Sequence, residues 1–172
     1  MSSITVRAAE PADYVPVARL TVAAYRDDGQ LPPGHAYERS LADVAGRAAA
    51  GELLVAHDES TGELVGSVLF VLPGSRYAEL AGLGEAEFRM LAVDPAAQRR
   101  GAGEALVRAC LARAAQLRSR TVVIYTRDLA LPAQRLYARL GFRRTPERDW
   151  SPMPGVRLLA LRVDLTAPGL EA

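Results

Sequence analysis

The segment Gln-Arg-Arg-Gly-Ala-Gly at residues 98–103 has the composition of a phosphate-binding turn. It follows a predicted strand over residues 87–93 and precedes a predicted helix that ends near Leu117. The first backbone N–H groups of a helix have no partner within it, and the helix dipole favours negative charge at that end. Gly101 and Gly103 lack the Cβ atoms that would hold an anion away from the backbone. The sequence therefore predicts that this turn binds a phosphate group.

The spacing of the turn distinguishes among the known phosphate-binding motifs. A P-loop requires a Lys directly after its last Gly, and Glu104 stands there. A dinucleotide-binding turn requires a third Gly at the position of Leu106. The remaining pattern, Q-x-x-G-x-G preceded by V-D-P, closely resembles the acetyl-CoA signature of the GNAT superfamily of N-acetyltransferases. A glycine-rich connection that binds no ligand is the alternative.

A second segment, L-Y-A-R-L-G-F at residues 136–142, is similar to the L-Y-x-x-x-G-F motif near the end of GNAT domains. The predicted order of elements also matches that family, so the resemblance covers residues 4–165. It implies an α/β (α+β mixed) fold, with a mixed six- to seven-stranded central sheet flanked by about four helices. We expect one domain over residues 1–172, with a frayed tail at residues 166–172. Ala130 departs from the pattern, because many members carry an Asn there that makes supporting contacts near the cofactor.

The resemblance implies that acetyl-CoA is the co-substrate and that the chain binds no metal. Backbone N–H groups of the turn would bind the pyrophosphate, and the preceding strand would pair with the pantetheine arm. The side chains of Arg99 and Arg100 either add contacts to the phosphates or are simply solvated. The implied cofactor-binding residues are Leu91, Ala92, Val93, Gln98, Arg99, Arg100, Gly101, Ala102, Gly103, Glu104 and Tyr137.

Amide formation from a thioester sets several chemical requirements. An alkylamine has a pKa of about 10, so a base, usually acting through water, must remove a proton before the amine can attack. The developing oxyanion needs a hydrogen-bond donor, and the departing thiolate needs a proton. By resemblance, the N–H group of Leu91 is the oxyanion donor, Tyr137 is the acid and Glu87 is the base.

Each of the two catalytic side chains has a structural alternative. Tyr137 lies on an apolar helix face, where a tyrosine often packs with its hydroxyl bonded to a nearby carbonyl. Glu87 could be a surface residue that pairs with Arg89, two residues along the same face of the strand. Such a pair would keep Glu87 ionised and reduce its basicity. Glu85 and ordered water are the competing candidates for the base.

The resemblance implies an acceptor pocket between the loop after the first helix and the last strand pair. Aromatic residues together with carboxylates at that place would suit a cationic amine. We therefore expect transfer of an acetyl group from acetyl-CoA to a primary amine of a small molecule or peptide. A non-catalytic CoA-binding regulatory domain and an acyltransferase for a longer acyl group are the alternatives. The predicted acceptor-binding residues are Tyr25, Asp28 and Trp150, from a set that also includes Asp27, His35, Tyr37 and Asp149.

Hydrophobic periodicity predicts the elements that position these residues. One helix is expected to end near Arg26, a second to cover residues 37–50, and residues 146–154 to form a loop. In the central strand, alternation predicts Phe88, Met90 and Ala92 on one face, and Glu87, Arg89, Leu91 and Val93 on the other. The other predicted strands lie near residues 4–6, 52–56, 64–72, 121–126, 142–145 and 156–165.

The composition narrows the classes of partner. The formal net charge of +1 over 172 residues gives no indication of a nucleic-acid partner. The N-terminus lacks the features of a signal peptide and no apolar run would span a bilayer, so a cytoplasmic location is expected. Cys110 lies on the apolar stripe of its helix and is predicted to be a core thiol. A homodimer is the default expectation for such an enzyme.

Overall fold

The structure is a computed structural model that describes residues 3–32 and 34–165. The predicted tail at residues 166–172 lies outside the described residues. The described part of the chain contains the strands β1 (Ile4–Ala8), β2 (Glu52–Asp58), β3 (Leu64–Val71), β4 (Glu85–Val93), β5 (Thr121–Arg127), β6 (Arg143–Arg144), β7 (Trp150–Met153) and β8 (Val156–Asp164).

In the described residues, three α-helices lie between β1 and β2, one lies between β4 and β5, and one lies between β5 and β6. None of the helices in the described residues has the length and apolar character needed to cross a membrane. The α-helices are α1 (Tyr14–Asp27), α2 (Tyr37–Ala42), α3 (Val44–Ala50), α4 (Ala102–Gln116) and α5 (Leu131–Arg139).

All described strands belong to one mixed sheet. Its order is β1-β2-β3-β4-β5-β8-β6, with β7 paired to β8. The β4–β5 pair is parallel and the other pairs are antiparallel. The mixed α/β fold predicted from the sequence is confirmed, and the parallel pair lies at the centre of the sheet.

The predicted numbers of elements need correction for the described residues. The sheet has eight strands instead of six to seven, because β7 forms within the segment predicted as a loop. All four β7 residues are exposed, so they show no hydrophobic alternation. The single helix predicted over residues 37–50 is divided at Asp43, which gives five α-helices instead of about four. The Asp43 side chain accepts a hydrogen bond from the Gly46 N–H at 3.0 Å and so caps α3.

Helices cover both faces of the sheet. Leu53 and Val55 of β2 pack with α1 and α3, whereas Ala56 belongs to the cluster formed with α4 and α5. Cys110 is fully buried in that second cluster, which confirms the prediction of a core thiol. Burial raises the pKa of the Cys110 thiol.

The predicted alternation along β4 is wrong at its centre, because the strand contains a β-bulge. The register of β3 against β4 shifts by one residue between Ser67 and Leu69. Met90 lies at this shift and has a left-handed φ of 55°. As a result, Phe88 packs with α4 and α5, whereas Met90 packs with Leu41 on the other face of the sheet.

Candidate functional site

The parallel strands β4 and β5 are paired only at their beginnings. Their ladder ends at the rung between Glu87 and Val123, although both strands continue beyond it. We call the region between residues 88–93 and residues 124–127 the β4–β5 gap. Residues of both strands in this gap line a cavity of about 480 Å³. The gap leaves one edge of β4 without a strand partner in the described chain.

The predicted phosphate-binding turn lies at the amino end of α4 and presents free backbone donors. The N–H groups from residue 98 to residue 104 donate no hydrogen bond to any described residue. Gly101 is the N-cap of α4 and has a φ of +86°, a conformation that a residue with a Cβ atom rarely adopts. A Cβ atom at Gly101 would meet no atom within 4 Å, so the space in front of the turn is open. This arrangement suits an anion, because unpaired donors and the positive end of a helix converge there.

The two arginines of the turn are held differently. Arg100 forms an ion pair with Asp58 at 3.1 Å, and the Asp58 side chain is fully buried. The Arg99 backbone has a φ of +66°, and its side chain makes no hydrogen bond or ion pair within the described chain. Glu104, on the first turn of α4, pairs with Arg108 at 3.0 Å. The Arg100 side chain is therefore neither simply solvated nor free to point at a phosphate.

Tyr137 lines the cavity. Its ring is buried and packs against Phe88 and Phe142, with ring centroids 5.9 and 5.6 Å away. The hydroxyl has no hydrogen-bond partner among the described residues, so the alternative in which a carbonyl binds it is wrong. Burial raises the pKa of Tyr137, which keeps the phenol protonated. Tyr137 thus carries a protonated phenol, and both it and Leu91 line the cavity.

Glu87 is buried at the end of the β4–β5 ladder and holds a loop in place. Its carboxylate accepts hydrogen bonds from the N–H groups of Glu79, Leu80 and Ala81, at 3.2, 2.9 and 2.9 Å. Burial raises the pKa of Glu87, and these bonds partly oppose that effect. The structural alternative from the sequence is wrong, because Glu87 is not on the surface and Arg89 pairs with Glu79 instead. Glu87 does not line the cavity, so its role as a base stays a prediction.

Glu85, the competing candidate for the base, forms an ion pair with Arg148. Arg148 donates to both of its carboxylate oxygens at 3.0 Å. Burial alone would raise the pKa of Glu85, but the hydrogen bonds from Arg148 and from the Gly82 N–H hold it below its usual range. This pairing makes Glu85 a weak base.

The three predicted acceptor-binding residues all line the cavity, although Trp150 is far from Tyr25 and Asp28 in the sequence. Tyr25 is buried, Asp28 accepts two hydrogen bonds from Gln30, and Trp150 lies 6.4 Å from Tyr125 between ring centroids. Burial raises the pKa of Asp28. Asp149, which belonged to the wider predicted set, is turned away and accepts a hydrogen bond from the Ala160 N–H at 2.8 Å.

Sequence reasoning missed several charged residues of the cavity wall. Glu79 and Arg89 form an ion pair at 3.1 Å, and Arg127 lies at the end of β5. The alternation of β5 places Arg127 on the same face as Tyr125, but only the gap makes that face part of a cavity. Among the described residues, no group of His, Cys, Asp and Glu side chains is arranged to hold a metal ion.

The predicted cofactor residues fall into two groups. Leu91 and Tyr137 line the cavity, whereas the turn at residues 98–104 lies outside its lining. Ala92 is buried and Val93 is half-buried at the end of β4, between the two groups. The predicted residues thus lie at the end of β4, at the beginning of α4 and, in the case of Tyr137, on α5.

Comparisons with known proteins show which family has this architecture. The family model described as the acetyltransferase (GNAT) family matches residues 17–142, a range that includes both sequence motifs. No curated protein sequence matches the chain.

Several solved structures share the fold. An acetyltransferase of the GNAT family from Staphylococcus aureus Mu50 superposes with a TM-score of 0.74 at 13% identity, over 95% of this chain and 99% of that chain. A Corynebacterium glutamicum protein described as histone acetyltransferase HPA2 and related acetyltransferase is 27% identical, with a TM-score of 0.71 over 94% and 96% of the two chains. A Brucella melitensis GNAT family acetyltransferase in complex with acetyl-CoA is 26% identical, with a TM-score of 0.59 over 93% and 89%.

Proposed function

The chain belongs to the acetyltransferase (GNAT) family, and on that premise we propose that it transfers an acetyl group from acetyl-CoA to a primary amine of a small molecule or peptide. The amine would attack the thioester directly. We also propose that the chain forms a single domain over residues 1–172, with its core at residues 4–165, and that this domain carries out the reaction.

The run of free N–H groups at residues 98–104 carries the proposal. The residues at 98–101 are exposed and those at 102–104 are buried or half-buried, and none of their seven N–H groups donates to a described residue, so all of them are available to one external acceptor. Their position at the start of the 15-residue helix α4 favours a negatively charged partner. A pyrophosphate has enough oxygen atoms to accept from several of them. The open space in front of Gly101 would admit it.

The chain's own residues fit the rest of the co-substrate. The unpaired edge of β4 at Leu91, Ala92 and Val93 offers backbone groups to the amide-containing arm of coenzyme A. When bound, acetyl-CoA supplies an acetyl thioester that is activated toward nitrogen nucleophiles. The N–H group of Leu91 would donate to the developing charge on the carbonyl oxygen. The Tyr137 hydroxyl would donate its proton where the thiolate leaves.

The acceptor amine must lose a proton, and Glu87 is the proposed base. Because its carboxylate does not line the cavity, this role requires an intervening water molecule. The pH dependence of kcat/KM tests it. Glu87→Gln should abolish the acidic limb of the profile, whereas an unchanged limb would assign the base elsewhere.

The transferase proposal is tested by thiol release from acetyl-CoA with a panel of primary amines, together with calorimetry of coenzyme A binding. We expect amine-dependent thiol release and saturable binding. Binding without release for any amine would indicate a non-catalytic CoA-binding domain. Faster release from longer acyl-CoA thioesters would change the donor but keep the reaction class.

A further inference from the structure

Arg127 is a cation on the cavity wall that has no partner in the described chain. It makes no ion pair or side-chain hydrogen bond there, and its Nε atom is buried without a partner. The other arginine on this wall, Arg89, is satisfied by Glu79 at 3.1 Å and by the Tyr77 carbonyl at 3.0 Å. Arg127 is half-buried and only its Nε atom is buried without a partner, so the rest of its guanidinium is a cation on the cavity wall that an anionic ligand could pair with.

A second arginine near the cavity is also without a carboxylate partner. Arg47 of α3 is fully buried, donates from Nη2 to the Leu41 carbonyl at 2.7 Å, and leaves Nε and Nη1 unpaired. It interacts electrostatically with Tyr25 and Tyr37, which both line the cavity. Burial lowers the pKa of Arg47, but an arginine remains charged at neutral pH.

The balance of charge around the cavity is therefore positive. On its wall, the cations Arg89 and Arg127 are matched by Asp28 and Glu79, and Arg47 adds one further positive charge behind the wall. Asp28 and Arg127 interact electrostatically without forming an ion pair. Two opposite charges that face one cavity without neutralising each other suit a zwitterion.

The position of Arg127 sets how close the anionic group must be to the reacting amine. Leu91 and Arg127 each lie four residues beyond the last rung, Glu87–Val123, on opposite sides of the gap. The bulge at Met90 changes this correspondence by one residue. An anion on Arg127 would therefore lie across the gap within one residue of the level of Leu91, the proposed site of acetyl transfer, which favours an acceptor whose anionic group and amine are close together.

We infer that the acceptor is a free α-amino acid, whose carboxylate binds the Arg127 guanidinium while its α-amine is acetylated. This inference rests on the proposed function and names the class of its acceptor. A carboxylate can accept two parallel hydrogen bonds from a guanidinium, which fixes its orientation as well as its charge. The α-amine would then form the new amide bond, lose a proton to the base, and release coenzyme A as the thiol.

The first test compares each proteinogenic L-amino acid with its amide and with its decarboxylated amine. We expect the kcat/KM of at least one amino acid to exceed those of its two counterparts about tenfold or more, as expected for a charged hydrogen bond. The amide represents a peptide N-terminus, so equal or faster reaction of amides would overturn the inference. It would also be overturned if no amino acid reacted or bound by calorimetry in the presence of coenzyme A.

The second test uses Arg127→Gln with Arg135→Gln as its control. Arg135 is an exposed arginine on α5 that has no ion pair or hydrogen bond among the described residues and does not line the cavity. Arg127→Gln should raise the KM for the amino acid about tenfold or more and leave kcat/KM for the decarboxylated amine nearly unchanged. Equal losses for both acceptors would contradict the inference, and Arg135→Gln should alter neither.

The two proposals fail in different ways. The protein could acetylate amines that lack a carboxylate while Arg127→Gln leaves the preference between amino acids and decarboxylated amines unchanged. That result would contradict the amino-acid acceptor and leave the proposed acetyltransferase activity standing. Alternatively, an amino acid could bind in a way that depends on Arg127 while no thiol is released from acetyl-CoA. That result would support the ligand class and contradict the proposed acetyltransferase activity.

Discussion

Glu87 and Val123 form the last rung between the parallel strands β4 and β5. The backbone of Glu87 thus marks the point at which the sheet opens, and its carboxylate holds the loop at residues 79–81. Glu79 of that loop pairs with Arg89 on the cavity wall. One residue therefore links the opening of the gap to the charge arrangement of the cavity.

The Glu87 carboxylate should stabilise the fold chiefly as a hydrogen-bond acceptor. All three loop N–H groups donate to its Oε1 atom, and a glutamine can keep that oxygen in place. We expect Glu87→Ala to lower the free energy of unfolding by about 1–3 kcal/mol, because it removes the acceptor of three partly buried hydrogen bonds, and Glu87→Gln to lower it much less. Urea denaturation measures both. Similar losses in the two variants would mean that the charge, not the acceptor atom, holds the loop.

The raised pKa of Glu87 gives a pH dependence with a definite sign. Burial favours the protonated carboxyl in the folded state, so the associated stabilisation is fully present below the usual glutamate pKa of about 4.3. It is lost as the pH rises through the raised folded-state value. The stability of the wild type relative to Glu87→Gln should therefore fall as the pH increases from about 4 to 8. A difference that is constant across this range in urea denaturation would contradict the shift.

Tyr137→Phe should lower kcat about a hundredfold without loss of stability. The phenyl ring retains the contacts with Phe88 and Phe142, and no hydrogen bond within the described chain is broken. Steady-state kinetics and thermal unfolding test the two parts. Tyr14→Phe is the matched control, because Tyr14 packs on α1 away from the cavity. An unchanged kcat at every pH would remove Tyr137 from the reaction.

The features that the sequence predicted well depend on short-range chemistry. A glycine at position 101 and an amphipathic helix after it determine the turn locally, so the spacing of residues 98–103 was sufficient. The apolar stripe of α4 likewise fixed the burial of Cys110. Tyr137 lies on the cavity wall, and its predicted role as the acid stays a prediction.

The features that the sequence could not predict depend on contacts between distant segments. The bulge at Met90 arises from the register between two strands, and alternation alone gives no sign of it. The partners of Glu87 are backbone groups of a loop without any distinctive side-chain pattern. Arg127 becomes part of a cavity only because β5 separates from β4 after Val123.

Gly101→Val should weaken the binding of coenzyme A about tenfold or more. A β-branched residue is strained at a φ of +86° and would also fill the open space in front of the free N–H groups. Gly62→Val is the matched control, since Gly62 has a φ of +74° and open space in the hairpin between β2 and β3. Calorimetry should show weaker binding in the first variant alone. Equal affinities in the two variants would show that the turn does not hold the pyrophosphate.

The ion pair between Arg100 and Asp58 predicts that the two arginines of the turn have different roles. Asp58 is fully buried and Arg100 is partly exposed, so Arg100→Gln should lower the free energy of unfolding by about 1 kcal/mol. Arg99→Gln is the control, and it should leave stability unchanged because the Arg99 side chain has no partner in the described chain. Urea denaturation of both variants without ligand measures the difference in their free energies of unfolding. Equal stability of the two variants would mean that the Arg100 pair contributes nothing to the fold, and its guanidinium would then be available to a phosphate.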